Sequence, residues 1–125
     1  MKILLVEDSK VVAERLCEAI GRIAGVDLIG TADTESVAIA LMREQDVDVI
    51  VLDLHLKQGT GFGVLRALAT AKSKTTIIVL TNYDLPEFKS AALALGATHF
   101  LDKARDYGRL PELLEEIGNK HRALH

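Results

Sequence analysis

The chain has one cysteine, Cys17, among its 125 residues, which excludes an internal disulfide. No grouping of Cys and His has the spacing of a metal centre. Cys17 itself falls within a helical pattern and reads as a small apolar side chain. An excess of charge of one sign is also missing: the net charge is -3, with both signs spread along the chain. There is thus no basic stripe of the kind that binds nucleic acid and no polybasic segment for an anionic membrane. No apolar run approaches the roughly 18 residues of a membrane span. The apolar part of MKILLVEDS is too short for a signal peptide. The expected setting is the reducing cytoplasm. Low-complexity linkers and sequence repeats are absent too. What remains is an ordinary globular composition, 49% apolar and 26% charged, at a length that suits one domain.

Strand-like runs alternate with helical patterns from end to end. Ile3–Val6 is the first strand. Ser9 then reads as an N-cap, with Val12, Leu16, Ala19, Ile20 and Ile23 along one helical face. Val26–Thr31 is a weaker, edge-type strand, and Glu35 to Gln45 a second helix with Val37, Ala38, Leu41 and Met42 inward. Val47–Leu52 carries the strongest strand signal, an apolar run buried on both faces. Gly59, Gly61 and Gly63 suggest a loop leading into a helix over 64–71. Thr75–Leu80 is a β-branched strand, Pro86 opens a helix that stops before Gly96, Thr98–Leu101 is a fifth strand, and a last helix runs from Leu110 to about Lys120. Five β-α units predict a doubly wound parallel sheet, flavodoxin-like, of order 2-1-3-4-5 with helices on both faces.

Ligands in such a sheet gather at the carboxyl ends of the strands, near the switch point between the first and third. Those ends carry Glu7 and Asp8, then Asp53, then Thr81 with Asn82, and finally Asp102 with Lys103. The three carboxylates of Glu7, Asp8 and Asp53 repel one another unless a cation joins them. Mg²⁺ suits few carboxylates and several waters. Lys103 and the Thr81 hydroxyl would complete a site for a phosphoryl group, toward which an Asp carboxylate can act as nucleophile.

VEDS, LDLHL with a Gly eight residues beyond its Asp, VLTN and GATHFLDK together resemble the receiver domains of two-component response regulators. The resemblance runs from Lys2 to about Ile117, giving a receiver over 1–121 and a short tail over 122–125. It implies Asp53 as phosphoacceptor and Asp8 as a direct ligand of Mg²⁺, with Mn²⁺ as a substitute. Glu7 would act on the metal through water, and the His55 backbone carbonyl would be a further ligand. Thr81 and Lys103 would hold phosphoryl oxygens. On phosphorylation Thr81 would move inward and Phe100 would turn into the space it leaves. The donor would be a histidine kinase or histidine phosphotransfer protein. A downstream protein would read the face made by the fourth helix, fifth strand and fifth helix, about 86–95, 98–101 and 110–120. The expected state is a monomer or weak dimer.

The chain departs from the family pattern at several points. Leu56-Lys57 stands where Met-Pro is frequent, and Ala104 replaces the Pro that commonly follows the lysine, so a trans bond is expected there. Asn82 stands where a small residue is frequent. His55 and Tyr83 flank the site at positions that tune phosphoryl lifetime in similar proteins. His99, His121 and His125 read as surface residues, and Gly59-Thr60-Gly61 as a turn without a Walker pattern. The leading expectation is a receiver, stand-alone or the receiver part of a longer regulator, that catalyses only its own phosphorylation and dephosphorylation. A phosphorylation-independent adaptor is the alternative. An Asp-nucleophile phosphohydrolase is disfavoured, because His55 occupies the place of the second Asp such enzymes need.

Overall fold

The computed structural model describes residues 1–82 and 85–124. Tyr83 and His125 therefore lie outside the described residues. The elements follow in strict alternation: β1 (Lys2–Val6), α1 (Lys10–Gly21), β2 (Asp27–Ala32), α2 (Glu35–Glu44), β3 (Val49–Leu52), α3 (Gly61–Thr70), β4 (Thr76–Thr81), α4 (Pro86–Ala94), β5 (His99–Asp102) and α5 (Arg109–Leu124). All strand pairs are parallel and the sheet order is β2-β1-β3-β4-β5, as expected.

The alternating pleat of a strand sends successive side chains to opposite faces. In β1, Leu4 and Val6 join Ile50, Leu52, Ile77 and Val79 in a core layer that also takes in Ala38, Val64 and Leu65 from α2 and α3. Ile3 and Leu5 join Val49, Val51, Ile78 and Leu80 on the other face, closed by Leu16 and Ile20 of α1 and Leu110 and Leu114 of α5. Because both faces are covered, β1 and β3 read in sequence as unbroken apolar runs. Ser9, Thr34 and Thr60 cap α1, α2 and α3 by accepting the N–H groups of Val12, Val37 and Gly63.

Three expectations need correction. Val37 is exposed rather than inward; it lines a surface groove with Glu7, Asp8, Lys10 and Lys57. Gly61 and Gly63 belong to the first turn of α3, not to the loop before it. Both are small because of close approach: a Cβ on Gly61 would strike the Asp53 backbone carbonyl, and one on Gly63 would strike the Glu35 carboxylate. The last helix continues beyond Lys120 to Leu124, and His121 and Arg122 in its final turn suit the negative end of the helix dipole.

Candidate functional site

Strand register brings the site together. Val6 pairs with Leu52, and Thr81 with Asp102, so the residues just beyond these positions share one rim of the sheet. The ladder even continues past the strands: Asp53 N–H donates to Val6 O, Glu7 N–H to Ala32 O, and Lys103 N–H to Thr81 O, each at 2.9 Å. The backbone of the candidate residues is therefore as fixed as the sheet itself.

Glu7, Asp8 and Asp53 each offer a carboxylate oxygen within 4.8 Å of the others. Glu7, Asp53 and Thr81 are buried. The Lys103 ammonium lies inside this cluster: Nζ is 2.7 Å from Glu7 Oε1 and 2.7 Å from Asp53 Oδ2, with the lysine side chain only 10% exposed. The second Asp53 oxygen, Oδ1, accepts the His55 N–H at 3.2 Å. Both oxygens of Asp53 are thus oriented. Glu7 Oε1 also accepts the Ser9 N–H at 3.2 Å. The exposed His55 imidazole places Nδ1 2.9 Å from Asp8 Oδ2, so this side chain engages Asp8 directly and is more than a rim residue.

Charge in the cluster is not balanced by the lysine alone. Burial, reinforced by the Asp53 carboxylate and only partly offset by Lys103, pushes the Glu7 carboxyl up to about 7. Asp8 goes the other way: burial raises it, but hydrogen bonds with His55 and Glu7 together with the charge of Lys103 hold it below its ordinary value. Burial also disfavours the Lys103 ammonium, yet Asp53 and Glu7 outweigh that and raise its pKa. Three carboxylates this close together, with oxygens as their donor atoms, fit a hard divalent cation.

The loop that presents Lys103 does without the family's proline. Asp102 Oδ1 accepts the N–H groups of Ala104 and Arg105, each at 2.8 Å, and the Asp102 N–H donates to Asp106 Oδ2 at 3.0 Å. That backbone N–H, with Arg109 and Arg105 nearby, holds the Asp106 carboxyl below its usual range. Cis peptide bonds are absent among the described residues, in keeping with Ala104. Asn82 is exposed beside Thr81, and Phe100 is half-buried against the core layer of α2, α3 and α4. His99 and His121 are half-buried rather than fully at the surface. Sequence reasoning missed Glu35, which touches the loop between β3 and α3; its only visible signal was a helix start after Thr34.

The fold and the acidic rim together define a doubly wound α/β domain with a lysine-bridged carboxylate centre at its switch point. Residues 3–115 match the family model of the response regulator receiver domain, and the chain belongs to that family of two-component signalling modules. The transcriptional regulatory protein CitB of Klebsiella pneumoniae is 33% identical over 121 residues, which cover 97% of this chain and 52% of CitB. The cell cycle response regulator CtrA of Brucella ovis is 33% identical over 103 residues, 82% of this chain and 44% of CtrA. The chain spans about half the length of these curated relatives. A two-component response regulator of the LuxR family from Aurantimonas superposes with a TM-score of 0.86 at 27% identity, covering 95% of this chain and 85% of that one. The response regulator domain of Thermotoga maritima CheB gives 0.81 at 25% identity, covering 94% and 92%. Receiver domains of this family typically bind Mg²⁺, and no helix among the described residues is long and apolar enough to cross a membrane.

Proposed function

We propose that this receiver accepts a phosphoryl group on Asp53 from a phosphohistidine donor, in a Mg²⁺-dependent reaction, and thereby changes its affinity for a partner protein. The observation that carries the reading is Lys103 bridging the buried carboxylates of Glu7 and Asp53 at 2.7 Å, with an Asp8 oxygen within 4.8 Å of both. An Asp53 oxygen attacks phosphorus, the P–N bond to the donor imidazole breaks, and the leaving imidazole takes up a proton. The carboxylate is aimed before the donor arrives, since its two oxygens are held by Lys103 and the His55 N–H. Once the phosphoryl group is in place, Lys103 exchanges a carboxylate oxygen for a phosphoryl oxygen, and the buried Thr81 hydroxyl serves as a donor to another. Bound Mg²⁺, or Mn²⁺ in its place, supplies charge neutralisation, with Asp8, Asp53 and the His55 carbonyl as its protein ligands and Glu7 acting through water.

The switch is assigned to Thr81 and Phe100, which sit on adjacent strands. The partner surface is assigned to α4, β5 and α5, where Leu85 before α4 and Leu93 within it are exposed. The donor is a histidine kinase or histidine phosphotransfer protein. Incubation with a small-molecule phosphodonor, with Mg²⁺ or with chelator, tests this by intact mass. One phosphoryl adduct that requires Mg²⁺ and vanishes in Asp53→Asn is expected. A folded protein that takes no adduct would instead favour the adaptor.

A further inference from the structure

The loop that carries His55 is clamped from outside the acidic cluster. Glu35, the first residue of α2, accepts the Thr60 N–H on Oε1 at 3.0 Å. Its own N–H donates to Gln58 O at 3.0 Å, and just before it the Lys57 N–H donates to Asp33 O at 3.0 Å. The Glu35 side chain fills the space that a Cβ on either Gly59 or Gly63 would take, and Gly59 has φ +75°, a conformation that suits glycine. Thr60 in turn forms an antiparallel bridge with His55. His55 donates its N–H to Asp53 Oδ1 and holds Asp8 Oδ2 with its ring. A short, continuous path therefore joins the Glu35 carboxylate to both carboxylates expected to bind the cation.

We infer that Glu35 is a positioning residue for the Asp53–Asp8 centre, acting as the acceptor that fixes the Thr60–His55 bridge and with it the loop carrying the His55 carbonyl. This rests on the receiver reading above, and goes beyond it by tying the start of α2 to the geometry of the metal and phosphoryl site. An outer partner of this kind shifts metal affinity without touching the metal. It also makes α2 an element that feels any rearrangement of the loop.

The test uses Glu35→Ala and Glu35→Gln, the second of which keeps an acceptor oxygen. MgCl₂ is titrated into the full chain while backbone amide resonances of residues 53–60 are followed, and amide exchange of His55 and Thr60 is measured without metal. Glu35→Ala should weaken Mg²⁺ binding about tenfold and speed exchange of both amides, while Glu35→Gln stays within about twofold of wild type. Unchanged Mg²⁺ affinity in Glu35→Ala, with only a lowered melting temperature, would reduce Glu35 to a structural clamp and overturn the inference. Glu35→Gln behaving like Glu35→Ala would also overturn it, because negative charge rather than the acceptor would then be responsible. A wild type that binds Mg²⁺ but takes no phosphoryl group sinks the phosphoacceptor reading alone; a wild type that binds no Mg²⁺ sinks both.

Discussion

Glu7 records the electrostatic state of the site. Its carboxyl, near 4.5 in the unfolded chain, is pushed up to about 7 by burial in the fold. Between these values the folded chain binds more protons than the unfolded one, so folding stability falls as pH rises through that window. The depressed Asp8 and Asp106 carboxyls work in the opposite direction, but only around and below their ordinary value of 3.8. Urea unfolding in chelator should therefore show a less stable protein at pH 7.5 than at pH 5.5, and Glu7→Gln should flatten that difference. An equal or steeper decline in Glu7→Gln would place the source elsewhere. Lys103 shows why residue identity alone was not enough to read the site. From sequence it was a cation on the rim; in the fold it is enclosed by two carboxylates at 2.7 Å.

At the scale of elements, β1 and β3 were legible because strands covered on both faces leave unbroken apolar runs. Ser9 was equally plain as the residue before a helical pattern, and the rim residues followed from strand order once the β-α alternation was seen. The errors arose where one element is shaped by another. Val37 has the spacing of an inward residue, yet α2 turns it toward the groove beside Glu7 and Asp8. Gly63 reads as a loop glycine because its reason for being small, the Glu35 carboxylate, lies on a different helix. Gly63→Ala should accordingly destabilise the protein by about 1–3 kcal/mol, as overpacking does. In a Glu35→Ala background the same change should cost much less, and a double-mutant cycle from thermal unfolding measures the coupling. Additive effects would mean that the two side chains do not contend for the same space.

For the molecule as a whole, family membership and fold set the frame, and the chain covers about half of relatives such as CitB and CtrA. The five-strand topology converts four separated stretches of sequence into one rim, which is why the constellation of Asp8, Asp53, Thr81 and Lys103 could be anticipated together. The loop supports could not, since Glu35, Asp102 and Asp106 act through backbone N–H groups that leave no motif. The proposed function stands or falls with Asp53 itself carrying the phosphoryl group. Borohydride reduction of phosphodonor-treated protein, followed by peptide mass spectrometry, converts an aspartyl-phosphate to homoserine and marks its position. Homoserine is expected at position 53 in samples treated with Mg²⁺, and none in chelator. A phosphoryl group found on His55 or any other residue, with position 53 left as aspartate, would contradict it.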